Sequence, residues 1–109
     1  MRILHVEDDD TFRKWVKQGL KESGFAVDGA CNAKEAMQMA SENLYDVILL
    51  DIGMPDLNGL WALRTLRQAG NTAAIFIISG NSEEQLKLDA FEGGADDYMV
   101  KPILVSDRV

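Results

Sequence analysis

Cysteine is almost missing from this chain, since Cys31 is the only one. One cysteine excludes an internal disulfide and cannot build a thiolate metal site by itself, so a small buried side chain is its simplest interpretation. Basic residues are also few: 11 lysines and arginines stand against 18 aspartates and glutamates, for a formal net charge of −7. This balance argues against direct binding of nucleic acid phosphates, which needs clustered positive charge. It would tolerate a divalent cation.

Long hydrophobic runs are absent as well. The apolar residues make up 47% of the chain but occur in short separated runs, and none approaches the length that spans a bilayer. The acidic pair Glu7-Asp8 follows the first apolar run directly, which does not fit a secretory signal. We therefore expect a cytoplasmic protein with no membrane association. The 109 residues suffice for one hydrophobic core, which predicts a single domain.

The apolar residues alternate between strand-like and helix-like spacing. Short apolar runs predict five strands, over 2–6, 25–30, 45–50, 73–78 and 97–100. Helical spacing follows each of the first four runs, and three of the helices are expected to stop at glycines, namely Gly24, Gly70 and Gly93-Gly94. Continuously apolar runs suit strands covered on both faces. The order βαβαβαβαβ predicts a doubly wound α/β fold built on a parallel sheet.

Several polar residues are candidates for helix ends. Asn32 is expected to cap the second helix, with Glu35 at the capping-box position. Ser82 is expected to cap the fourth helix. Asp9 and Asp10 are interpreted as acidic residues in the first turn of the first helix, where they face the positive end of its dipole.

Polar side chains follow the ends of four of the five predicted strands. These are Glu7-Asp8, Asp51, Ser79-Gly80 and Lys101-Pro102. In an open α/β sheet, ligands bind at the carboxyl ends of the strands, near the point where the strand order reverses. The sequence therefore predicts that these groups meet at one edge of the sheet.

The chemistry of this set favours phosphoryl transfer. Converging carboxylates repel one another unless a cation lies between them, and oxygen ligands of this kind suit Mg²⁺. Asp51 could then act as a carboxylate nucleophile that forms an aspartyl phosphate. Lys101 would supply a cation for the new phosphate, and Ser79 a hydroxyl donor.

The same residues stand in motifs that resemble the receiver domains of two-component response regulators. The resemblance covers nearly the whole chain, in order, and its motifs are Val6-Glu7-Asp8-Asp9, the run from Leu49 through Asp51 to Gly59, Ile78-Ser79-Gly80, and the run from Gly94 through Tyr98 to Pro102. It implies a flavodoxin-like three-layer sandwich with strand order 2-1-3-4-5. The implied function is a phosphorylation switch, not an enzyme acting on other molecules.

The resemblance also implies roles for individual residues. Asp51 would accept a phosphoryl group from a sensor histidine kinase, and Glu7, Asp8, Asp51 and the backbone carbonyl of Gly53 would bind Mg²⁺. Lys101 would contact the phosphate.

Two more residues would transmit the signal, according to the same resemblance. Ser79 would move toward the phosphate and Tyr98 would swing inward behind it, which shifts a pre-existing equilibrium between two states. The Lys101-Pro102 bond would be cis.

The stretch from Gly94 to Pro102 looks most like the winged-helix transcription regulators of this family. Such proteins dimerise through the fourth helix, fifth strand and fifth helix. The sequence stops at Val109, so we expect a receiver truncated within its fifth helix, with no second domain and no direct contact with nucleic acid in these residues. The alternative within the family is a stand-alone receiver that relays phosphate or binds a protein partner.

Competing interpretations are weaker. A phosphatase of the haloacid-dehalogenase type would carry a second aspartate two residues after Asp51, where this chain has Gly53. A nucleotide-binding module would need a glycine-rich phosphate loop, and neither G-x-G-x-x-G after the first strand nor G-x-x-x-x-G-K-[ST] is present. The only histidine, His5, lies inside a predicted strand, so we do not expect a phosphohistidine or metal role for it.

The aromatic and large apolar residues on the helices have ordinary structural interpretations. Trp15 and Met37 fall on apolar stripes and are predicted to lie in the core. Trp61 falls off the stripe of its helix, which predicts partial exposure near the loop after Asp51.

Overall fold

The computed structural model of the chain describes residues 1–52, 59–80, 82 and 84–101. Strands and helices alternate, and their bounds are β1(Arg2–Val6), α1(Asp10–Glu22), β2(Ala26–Ala30), α2(Ala33–Glu42), β3(Val47–Asp51), α3(Gly59–Gln68), β4(Ala74–Ser79), α4(Glu84–Glu92) and β5(Asp97–Val100). All strand pairs are parallel, and the order in the sheet is β2-β1-β3-β4-β5. The predicted fold class and strand order are confirmed.

The strands differ from their predicted bounds mainly in the middle of the sheet. β3 and β4 each begin later than predicted and end one residue later, so that they include Asp51 and Ser79. The ladder explains this extension, because Asp51 pairs with Ile78 and Ser79 pairs with Val100. Backbone hydrogen bonding continues whatever the side chain is, so the polar residues that end the apolar runs are still strand residues.

The helix ends show how local sequence determines each turn. The Asp9 side chain accepts a hydrogen bond from the Phe12 N–H at 3.0 Å and is the N-cap of α1, so the prediction that it lies inside the first turn was wrong by one position. Asn32 caps α2 as predicted, accepting from the Glu35 N–H at 2.8 Å. The Glu35 carboxylate lies 3.5 Å from the Cys31 thiol. Helices α1, α3 and α4 end just before Gly24, Gly70 and Gly94, all of which have positive φ.

The sheet separates two clusters of buried apolar side chains. Helices α2, α3 and α4 cover one face with the larger cluster, which includes Leu4, Val6, Leu50, Ile77 and Leu63. Helix α1 covers the other face through Val16 and Leu20, which pack with Ile3, Leu49, Ile78 and Met99. Alternate residues of β1 therefore point to opposite clusters, as the two-residue period of a strand requires.

Helix α1 turns a different side toward the core from the one predicted for Trp15. Trp15 is 47% exposed, so its predicted place in the core is wrong. The buried stripe follows Phe12, Val16 and Leu20 at four-residue steps, and Trp15 lies beside it. Met37 packs against the larger cluster and Trp61 is 52% exposed, as predicted.

The guanidinium of Arg67 ties the end of α3 to the starts of β4 and β5. It donates to the carbonyls of Gly94, Asn71 and Ala73 at 2.9, 3.0 and 2.7 Å. It also donates to Asp96 Oδ2 at 2.8 Å, and the same oxygen accepts from the Ile75 N–H. One side chain therefore ties together the α3–β4 and α4–β5 connections at the amino end of the sheet.

Some predictions concern residues outside the described ranges. They include the Gly53 carbonyl, the Lys101-Pro102 bond and the truncated fifth helix, and they stay predictions. Within the described part of the chain, no helix is long and apolar enough to cross a membrane.

Candidate functional site

Three carboxylates meet at the carboxyl end of the sheet. Glu7, Asp8 and Asp51 each offer an oxygen, and these atoms lie within 4.8 Å of one another. The register of the sheet brings them together, because Val6 of β1 pairs with Leu50 of β3 and the acidic residues follow at the same level. Glu7 and Asp51 are buried, whereas Asp8 is exposed. Two of the three carboxylates are therefore buried and one is accessible to solvent.

Lys101 closes the site from the far end of the chain. Its Nζ donates to Glu7 Oε1 and to Asp51 Oδ2, each at 2.9 Å. The backbone holds it there, because the Lys101 N–H donates to the Ser79 carbonyl at 2.7 Å and continues the ladder between β4 and β5. One ammonium group thus offsets two carboxylates that would otherwise repel each other in a buried place.

The proton affinities reflect this crowding. Burial, followed by its hydrogen-bonding contact with Asp51, raises the pKa of Glu7 to about 7, and Lys101 opposes the rise only in part. Burial by itself would lower the pKa of Lys101, but its hydrogen bonds to Glu7 and Asp51 outweigh that effect and raise the pKa. With the three carboxylates and Lys101 ionised, the site carries a net charge of −2, which a bound divalent cation would offset.

The two predicted switch residues lie on neighbouring strands beside the carboxylates. Ser79 ends β4 and is 3% exposed. Tyr98 of β5 is 8% exposed and belongs to the larger apolar cluster. The Lys87 ammonium lies 5.9 Å from the centre of its ring. Tyr98 is therefore in an inward position in this structure.

Three residues that the sequence did not single out for the site surround it. His5 is fully buried, and neither ring nitrogen has a hydrogen-bond partner among the described residues. Burial lowers its pKa to about 4; Asp51 acts against the shift, and Lys101 and Arg13 add to it. Phe12 lies under Lys101, whose Nζ is 4.7 Å from the centre of the ring.

Arg13, the third of these residues, supports the turn that presents the acidic pair. It donates to the Glu7 carbonyl at 2.7 Å and pairs with Asp10. Its side chain runs across Gly29 of β2, where a Cβ would lie 3.1 Å from the Arg13 Cδ. The pair with Asp10 is an (i, i+3) contact that the helical spacing could have indicated, whereas the contacts with the Glu7 carbonyl and Gly29 depend on how α1 crosses the sheet.

A comparison with protein families matches residues 3–108 to the response regulator receiver domain. The chain belongs to this family. Receiver domains are phosphorylation-controlled switches of two-component signalling, so the predicted function class is confirmed, and the family is regulatory.

Transcription regulators are among the similar proteins. The cell cycle transcriptional regulator CtrA of Caulobacter vibrioides is 43% identical over 102 residues, covering 94% of this receiver domain and 44% of the relative. The transcriptional regulatory protein PrrA of Mycobacterium tuberculosis is 38% identical over 108 residues, which cover 99% of this chain and 46% of the PrrA sequence. The chain therefore spans about half the length of the relatives that it matches.

Solved structures agree with the fold of this receiver domain. A two-component response regulator from Clostridium difficile superimposes with a TM-score of 0.94 at 31% identity, covering 98% of this chain and 88% of the other. A response regulator from Burkholderia pseudomallei superimposes with a TM-score of 0.92 at 27% identity, covering 97% of this chain and 62% of the other. The latter contains a phosphorylated aspartic acid and a calcium ion.

Proposed function

We propose that Asp51 is the phosphoryl acceptor of this receiver domain. The observation that carries the proposal is the convergence of Glu7 and Asp8 from the end of β1 and Lys101 from the end of β5 on the Asp51 carboxylate. Lys101 orients this carboxylate through a hydrogen bond of 2.9 Å, and Asp8 is the exposed member of the set. A buried carboxylate with a fixed cation beside it is suited to covalent catalysis of this kind.

The donor set fits Mg²⁺. Three carboxylates with oxygens within 4.8 Å match the preference of this ion for a few anionic oxygens, with water and phosphate completing the octahedron. We propose Glu7, Asp8 and Asp51 as ligands, and the Gly53 carbonyl stays a predicted one. When bound, the ion would neutralise charge on the phosphoryl oxygens and on the attacking carboxylate. The calcium ion in the Burkholderia pseudomallei regulator supports a divalent cation site.

The reaction needs little from the protein besides position and charge. An Asp51 carboxylate oxygen attacks phosphorus while the bond from phosphorus to the imidazole nitrogen of a donor histidine breaks, and the imidazole leaves with the electron pair. Lys101, already 2.9 Å from Asp51, would then turn its ammonium to a phosphoryl oxygen. Ser79 would donate its hydroxyl to another oxygen, and Tyr98 would occupy the space behind it. The contacts of Lys101 and Ser79 with the phosphoryl oxygens would exist only in the phosphorylated arrangement, so they would stabilise the active state. Tyr98 is already buried before phosphorylation.

We propose a sensor histidine kinase as the phosphodonor partner, and the similar transcription regulators support a transcriptional output. We propose that the phosphorylated domain dimerises through α4, β5 and the predicted fifth helix. In this structure Leu88 and Phe91 of α4 are 49% and 47% exposed, which provides apolar surface on that side. A stand-alone receiver would also use Asp51, but it would remain monomeric after phosphorylation.

Intact mass spectrometry tests the acceptor directly. The chain is incubated with Mg²⁺ and a small phosphodonor, and we expect one added phosphoryl group that disappears in Asp51→Asn and when the metal is chelated. Asp10→Asn is the matched control, because Asp10 is an exposed acid of the same edge outside the carboxylate set. An adduct that persists in Asp51→Asn would rule out the proposed acceptor.

A further inference from the structure

The ring of Phe12 occupies a defined place between the site and the surface of α1. On one side the Lys101 Nζ lies over the ring, 4.7 Å from its centre. The His5 ring contacts the edge of Phe12, with 6.0 Å between ring centres. The Trp15 ring stacks on Phe12, with 5.9 Å between ring centres and an interplanar angle of 23°. The column of rings runs from the buried His5 to the half-exposed Trp15.

Phe12 is also held by its backbone. Its N–H donates to the N-cap carboxylate of Asp9 at 3.0 Å, at the start of α1. The side chain packs against the cluster that includes Val16 and Leu20. Ring neighbours and cap together determine the orientation of the ring, so its face is pre-organised toward Lys101. By contrast, the lysine has a flexible stem that loses rotamer freedom when it is fixed.

We infer that Phe12 is a positioning residue for Lys101, and that it acts through the attraction between the ammonium and the face of the ring. The inference rests on the proposed function of Asp51 and its Mg²⁺ ligands. An aromatic face attracts a cation more strongly where water is partly excluded, and here Lys101 is 30% exposed while both of its carboxylate partners are nearly buried. The ring thus adds a neutral contact to the two ionic ones.

This position has opposite consequences for the two steps of phosphorylation. Before phosphorylation, Lys101 neutralises Glu7 and Asp51, which are the groups proposed to bind Mg²⁺, so a well-held lysine competes with the metal. During transfer, the same ammonium must be near the phosphoryl group, so a well-held lysine favours the reaction. Removing the ring face should therefore strengthen Mg²⁺ binding and slow the transfer. A general loss of packing would weaken both.

The experiment compares Phe12→Leu with wild type in two measurements. Calorimetric titration gives the Mg²⁺ dissociation constant without phosphodonor, and intact mass against time gives the phosphorylation rate at saturating Mg²⁺. We expect Phe12→Leu to lower the dissociation constant by about three-fold and the rate by about five-fold, which correspond to a cation–aromatic contact of ordinary strength. Phe12→Tyr keeps the ring face and should restore both values. If Phe12→Leu does not fold, Phe12→Met replaces it, since it retains apolar volume without an aromatic face.

Phe25→Leu is the matched control. Phe25 packs against the same apolar cluster but at the other end of the sheet, where its N–H donates to the Leu20 carbonyl. We expect neither measurement to change in this variant. Opposite shifts confined to Phe12→Leu support the inference. Unchanged values in Phe12→Leu, or weaker Mg²⁺ binding together with slower transfer, would overturn it.

The wild type separates this inference from the proposed function. A wild-type chain that binds no Mg²⁺ and gains no phosphoryl group would overturn the proposed function, and this inference with it. A wild type that does both, beside a Phe12→Leu variant that behaves identically, would overturn the positioning role alone.

Discussion

Lys101 Nζ and Asp51 Oδ2 lie 2.9 Å apart although 50 residues separate them in the chain. The contact joins Lys101, which follows the edge strand β5, to Asp51 at the end of the central strand β3. The lysine that is proposed to bind the phosphate therefore already binds the proposed acceptor before any phosphoryl group arrives. The ammonium therefore has both a structural and a chemical task.

Lys101→Met should destabilise the metal-free chain by about 2 kcal/mol, because it leaves two buried carboxylates without their shared cation while keeping the apolar stem. Added Mg²⁺ should recover more stability in this variant than in wild type, since a second cation can replace the lost charge. Urea unfolding with and without Mg²⁺ measures both effects. The exposed Lys34 provides the control, and Lys34→Met should leave the free energy of unfolding nearly unchanged. Equal stability of Lys101→Met and wild type would contradict the structural task.

Glu7 should make the metal-free chain more stable at lower pH. Its pKa is about 7 in the folded chain and 4.5 is the ordinary value, so the folded state holds a proton that the unfolded state releases. The contribution is fully present below pH 4.5 and is lost as the pH rises through about 7. Glu7→Gln should remove this dependence, as urea unfolding across the window would show. A pH profile shared by variant and wild type would refute the assignment.

His5 should act in the opposite direction. Its pKa is about 4 in the folded chain against 6.5 ordinarily, so its contribution is present above pH 6.5 and is lost as the pH falls through about 4. His5→Leu also replaces ring nitrogens that have no hydrogen-bond partner among the described residues, so it should stabilise the fold at neutral pH by about 1 kcal/mol. The gain should grow toward acidic pH. Because the windows of Glu7 and His5 overlap, the wild-type profile should be flatter than that of either variant.

Arg67 should be required for stability and not for phosphorylation. Its planar group donates to three carbonyls and one carboxylate at the amino end of the sheet, an arrangement that a lysine cannot reproduce. We expect Arg67→Lys to lower the free energy of unfolding by about 2 kcal/mol. Arg64→Lys, at an exposed position of the same helix, should have little effect. Thermal melts and the mass assay together check this, and a phosphorylation defect in a folded Arg67→Lys chain would count against it.

The strand order was implied by the resemblance to receiver domains. The alternation of short apolar runs and helical stripes was enough to predict the parallel sheet and the edge where Glu7, Asp51, Ser79 and Lys101 meet. This worked because strand and helix periods are local, and because parallel strands all place their carboxyl ends at one edge. Strand bounds were less accurate at Asp51 and Ser79, where the ladder continues through polar residues.

By itself, the sequence determined the fold class and the chemical type of the site, since both follow from residue order and periodicity, and its motifs indicated the family through their resemblance to receiver domains. Only the tertiary structure decided which side of α1 is buried, so that Trp15 is exposed and Phe12 lies under Lys101. The tertiary structure was also needed to show that neither ring nitrogen of His5 has a hydrogen-bond partner in the described part of the chain. The rotation of a helix and the neighbours of a buried ring depend on packing between distant segments, and no local pattern records that packing.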